Sequence, residues 1–195
     1  MRFKNGAHAI VIADVMGKGM PASMLMASLQ ASLQIIAPES AEPAEVVTRL
    51  NYLFSHNIRL TKFVTFFIGR YDEITGELTY CNAGHNPPLL RRQNGTLESL
   101  LPTGAAIGLV EHARFEQQSV RLHPGDRLLL YTDGVVESFG KNMELFGQDR
   151  LEKFLRETNG SSQETVTSLK QTVQKFSGSA TPADDTTIVV ATVAG

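Results

Sequence analysis

A single cysteine, Cys81, excludes an internal disulfide and fits a reducing compartment. Excess charge of either sign is also missing. The net charge of −2 gives no support for nucleic-acid binding or for a polybasic membrane surface. No apolar run approaches the roughly 18–20 residues needed to cross a bilayer. The opening MRFKNGAH lacks a signal-peptide pattern, so the expected location is the cytoplasm. Internal repeats and low-complexity tracts are absent, as are the G-x-S-x-G and Cys-x5-Arg patterns of covalent nucleophiles. What remains is ordinary for a globular domain: 195 residues, 42% hydrophobic and 19% charged, enough for one real core.

The pattern of apolar residues predicts a strand over 7–13, a Gly-containing turn at Val15–Gly19, and a helix opening at Pro21. Leu25, Leu29, Leu33 and Ile36 form its apolar stripe. A second helix starts at Pro43 and carries Val46, Val47, Leu50, Leu53, Phe54 and Ile58. From 63 to 132 the chain reads as β structure. It includes a hairpin around Asp72–Gly76, another around Gln93-Asn94-Gly95, and an alternating segment over 113–122 that turns at His123–Asp126 into RLLLYT. Two helices follow, the second opened by the capping box Ser161–Glu164. Ser177–Ala183 is read as a flexible loop before a last strand. The order implies α+β, with sheet packed on sheet and helices outside.

Three acidic residues flank strongly apolar segments: HAIVIA before Asp14, RLLLYT before Asp133, and TTIVVATV after Asp184-Asp185. If the last strand runs antiparallel to the others, all three lie on one edge of one sheet. Two unpaired carboxylates about 4 Å apart repel by roughly 4 kcal/mol at an effective dielectric near 20. Such a cluster persists around a divalent cation, and oxygen-only ligands suit magnesium or manganese. The chain therefore reads as a metal-dependent enzyme acting on a phosphate. An Asp at a strand end is, taken singly, more often a turn former; Asp72 and Asp126 are assigned that structural role.

The stretch Asp14-Val15-Met16-Gly17-Lys18-Gly19-Met20-Pro21-Ala22 resembles the D-V-x-G-K/H-G-x-P-A motif of the metal-dependent (PPM) protein phosphatases of the bacterial SpoIIE/RsbU type. Ala83–Pro88, Tyr131–Glu137 and Asp184–Thr187 agree in order, and Phe146-Gly147 also fits. The resemblance implies an αββα sandwich with two Mn²⁺ or Mg²⁺ ions. It implies hydrolysis of phosphoserine or phosphothreonine, by metal-activated water, on a small regulatory protein, typically an anti-anti-sigma factor. By position, Asp14 bridges both metals, the Val15 carbonyl ligates one, and Asp133 and Asp184 hold the other; Asp185 takes a supporting or turn position.

The chain departs from that pattern in one respect. Family members carry a further metal-binding Asp in a G-G-D motif about twenty residues upstream, whereas only thirteen residues precede Asp14 and none is acidic. The chain thus reads as incomplete at its N-terminus, without the sensor domain that often precedes such enzymes. A weak or inactive phosphatase-like domain that sequesters its partner is the alternative. Gly134 is expected to permit close backbone approach, Lys18 to attract phosphate or simply be solvated, and His85 to hold its turn or lie near the phosphate. The methionines at 16, 20, 24 and 26 read as packing or as a soft partner surface, and the helix pair over 21–60 as a dimer or regulatory surface.

Overall fold

The structure, a computed structural model, describes residues 1–4, 6–57, 62–178 and 185–194. They form two compact units, one of residues 1–85 and 101–122, the other of residues 86–100 and 123–195. The first unit holds an antiparallel sheet in the order β1 (His8–Val15), β2 (Val64–Asp72), β3 (Glu77–Ala83), β6 (Gln118–Arg121). Its helices are α1 (Met20–Ile36) and α2 (Pro43–Asn57). The expected stripes pack here. Leu29, Leu33 and Ile36 of α1 and Val46, Val47, Leu50 and Phe54 of α2 share a buried core with Val64, Phe66 and Ile68 of β2. Ile58, assigned to the second stripe from sequence, lies outside the described residues.

The second unit is built on the antiparallel order β5 (Leu97–Ser99), β4 (Leu89–Arg91), β7 (Arg127–Tyr131), β8 (Ile188–Thr192). Its helices are a single turn α3 (Asp133–Val136), then α4 (Gly147–Glu157) and α5 (Ser162–Ser177). Leu151 and Leu155 of α4 and Leu169 of α5 bury against Leu89, Leu129 and Tyr131. The capping box forms as read: the Glu164 N–H donates to Ser161 Oγ while the Ser161 N–H donates to the Glu164 carboxylate. The loop expected over Ser177–Ala183 lies outside the described residues from 179 onward.

Three expectations need correction. Asp14 does not follow β1 but lies within it, and β1 belongs to a different sheet from β7 and β8. Asp14 and Asp133 are therefore not on one edge of one sheet. Period-2 alternation fixes which face a side chain takes, not which sheet a strand joins. The alternating segment over 113–122 is strand only at 118–121, because Glu116 N–H and the Gln117 side chain bond elsewhere, to Thr103 O and to Glu42. The methionines are mostly not packed: Met16, Met20 and Met24 are 49%, 75% and 65% exposed.

Asp72 and Asp126 are structural, as expected. Asp72 Oδ1 accepts the N–H groups of Ile74 and Thr75. Asp126 is 2% exposed and accepts from the His123 and Gln93 N–H groups and from Arg92 at 2.8 Å. Burial opposes its charge, but those donors outweigh it and hold its carboxyl below the ordinary range. A lowered folded pKa means a contribution present above the ordinary carboxylate value near 4 and lost as pH falls through the folded one. Asp126→Ala is expected to lower stability by about 3 kcal/mol at neutral pH. Denaturant unfolding from pH 3 to 7 checks this, since the variant should lose part of the acid-side slope.

Candidate active site

In the first unit, Asp14 stands opposite Thr65 of β2, and Val15 opposite Val64. Met16 N–H donates to Phe63 O, so Asp14–Thr65 is a hydrogen-bonded pair and Val15–Val64 is not. The backbone groups of Val15 therefore point off the outer edge of β1, a terminal strand, and its carbonyl is not engaged by β2. The chain then turns through Gly17 and Gly19, both at positive φ (96° and 79°), conformations that glycine adopts without a Cβ penalty. Lys18 between them is exposed. Pro21 sits in the first turn of α1, where a missing N–H is harmless.

His85 is 2% exposed. Its Nδ1 lies 2.8 Å from Thr65 Oγ1, and its backbone N–H donates to the wholly buried Asn82 side chain at 2.8 Å. Gly84 before it takes φ 67°, and a Cβ there would meet Ala106 N at 3.0 Å. Cys81 is core: burial pushes its thiol up to about 11, so it carries no thiolate at neutral pH.

In the second unit, antiparallel pairing of Tyr131 with Ile188 puts Asp133 and Asp185 at the same end of the sheet. Thr132, 3% exposed, stitches the two segments together. Its N–H donates to Thr187 O at 3.1 Å, and its hydroxyl accepts from Thr187 N–H at 3.0 Å and donates to Asp185 O at 3.3 Å. Gly134 allows the close approach expected of it, since a Cβ there would stand 2.5 Å from Asp185 O. Asp133 opens α3, and Glu137 closes that turn through its N–H to Asp133 O at 2.8 Å. Asp184 lies outside the described residues. Sequence reading missed Thr65 and Thr132, whose hydroxyls carry no motif of their own.

The donors named from sequence are oxygen only: the carboxylates of Asp14 and Asp133 and the Val15 carbonyl. That chemistry fits magnesium or manganese and not a soft metal. Among the described residues, no three His, Cys, Asp or Glu side chains are grouped as for a metal ion.

The family model of stage II sporulation protein E (SpoIIE) matches residues 4–194. The chain belongs to the SpoIIE family. Among its relatives, this SpoIIE-family chain is 31% identical to the phosphoserine phosphatase RsbU of Bacillus subtilis, over 86% of the chain and 50% of that protein. It is 29% identical to protein IcfG of Synechocystis sp., over 93% of the chain and 33% of that protein. It thus spans a third to a half of the curated relatives it matches. The SiaA-PP2C domain of Pseudomonas aeruginosa superposes with a TM-score of 0.86 at 20% identity, covering 96% of this chain and 76% of that one. The expected fold class stands: two antiparallel sheets with flanking helices, the fold of PP2C phosphatase domains. Among the described residues, no helix is long and apolar enough to cross a membrane.

Proposed function

We propose that this SpoIIE-family chain hydrolyses phosphoserine or phosphothreonine on a small regulatory protein, an anti-anti-sigma factor, with Mn²⁺ or Mg²⁺ held by Asp14, the Val15 carbonyl, Asp133 and Asp184. The observation that carries this reading is the likeness to a phosphoserine phosphatase along 86% of the chain. Divalent cations supply acidification of a water molecule and neutralisation of charge on the phosphoryl oxygens. The protein's own part is to present hard oxygen donors. β1 holds Asp14 in a hydrogen-bonded pair and leaves the Val15 carbonyl turned off the strand edge. Thr132 and Gly134 clamp the Asp133 turn to the 185–187 segment. Lys18, exposed in its turn, meets an incoming phosphate as a point charge.

Hydrolysis of p-nitrophenyl phosphate and of a phosphoserine protein, with MnCl2 and with EDTA, checks the reading. Manganese-dependent turnover abolished by the chelator is expected. A folded chain that binds its partner tightly but turns over neither substrate would replace this reading with sequestration.

A further inference from the structure

A line of polar groups runs beside the apolar cluster of the first unit, which also buries Ser40, Asn51 and Thr79. Thr103 Oγ1 accepts the Asn82 N–H at 3.0 Å, Asn82 Oδ1 accepts the His85 N–H, and His85 Nδ1 meets Thr65 Oγ1 at 2.8 Å. Thr65 Oγ1 stands 3.5 Å from the carbonyl oxygen of Asp14. Asn82 and His85 are 0% and 2% exposed, among Val64, Phe66, Ala83 and Ile107, all 0%. Buried polar groups in such surroundings lower stability unless every one is satisfied, and an apolar filling of equal shape would serve packing as well. Packing alone therefore does not account for them.

The strand that this line reaches gives it a use. Thr65 faces Asp14 across the ladder, one residue from the outward-turned Val15 carbonyl, and the chain leaves the sheet immediately afterwards through two glycines. A strand end followed by a flexible turn frays unless something pins it. From this geometry we infer that His85, through Thr65, is a positioning residue: the Thr65–His85 pair fixes the end of β1 so that Asp14 and Val15 are held ready for the cation. This rests on the reading of Asp14 as a ligand. Groups behind a metal's own ligands commonly govern affinity by orienting them.

The pair makes a distinctive forecast, because Asn places an amide atom where His places Nδ1, whereas Val is the shape of Thr without the hydroxyl. Titration calorimetry of the full chain with MnCl2 gives the readout, with thermal unfolding of each variant alongside. Thr65→Val and His85→Ala are each expected to weaken Mn²⁺ binding by roughly 10-fold. The double variant should be no worse than either single one, and His85→Asn should restore binding. If folded Thr65→Val binds manganese like the parent, or His85→Asn loses as much as His85→Ala, the positioning role is wrong. An Asp14→Asn control separates the two layers. If it leaves Mn²⁺ binding intact, the reading of Asp14 as a ligand fails and the inference with it.

Discussion

Replacing Asp133 by Asn is expected to cut manganese-dependent hydrolysis by on the order of 10³-fold while leaving the fold in place. Removing one carboxylate from a cation-holding set takes away several kcal/mol of stabilisation of the phosphoryl charge, and each 1.4 kcal/mol is about a factor of ten in rate. Asn keeps the shape and one oxygen, so α3 should still close through the Glu137 N–H on the backbone oxygen of residue 133. Asp14→Asn should behave alike. The informative contrast is Asp126→Asn. Its carboxylate is instead engaged by Arg92 and two backbone donors. That variant should lose stability and keep its turnover per folded molecule. Steady-state rates with p-nitrophenyl phosphate, scaled by the folded fraction from circular dichroism, distinguish the two classes.

Gly134→Ala should produce the second large effect, for a steric reason. Gly134 does not rely on positive φ; its requirement is space. A Cβ would stand 2.5 Å from Asp185 O and 3.0 Å from Thr186 Oγ1, and a backbone oxygen cannot swing aside as a side-chain tip can. Either α3 or the 185–187 segment must move, breaking the Thr132 clamp. A destabilisation of about 2–3 kcal/mol is expected, in the range of overpacked interiors. A fall of roughly 10–100-fold in manganese affinity should accompany it, because the displaced segment adjoins Asp184 in the chain. Thermal unfolding and a manganese titration report the two effects separately. A variant with parental stability and affinity would show that the close approach is not needed.

Much of this architecture was legible because local chemistry announces itself. Pro21 and Pro43 open helices, Asn94-Gly95 turns a hairpin, and Ser161 with Glu164 caps α5. The apolar stripes of α1 and α2 are largely the residues that are buried, with Leu53, 39% exposed, as an exception. Partnership was legible within the two hairpins, β2 with β3 and β4 with β5, but not between strands far apart in sequence. HAIVIADV and RLLLYTDG end alike, yet their strands lie in different sheets, since pairing is decided by contacts far away in sequence. The single turn α3 was missed because four residues carry no periodicity. Thr65 and Thr132 were missed for a related reason: their importance lies in one hydroxyl each, aimed at backbone that is distant along the chain. The three acidic segments stood out because a carboxylate beside a strongly apolar run is conspicuous, whereas a threonine in or beside a strand is ordinary.

Manganese binding by the intact chain, measured by calorimetry beside its Asp133→Asn variant, bears most directly on the proposal that strand-end oxygens hold a hard cation. Saturable uptake of Mn²⁺ that the substitution abolishes is the predicted result. Binding unchanged by the substitution, or no binding by the folded parent, would contradict it.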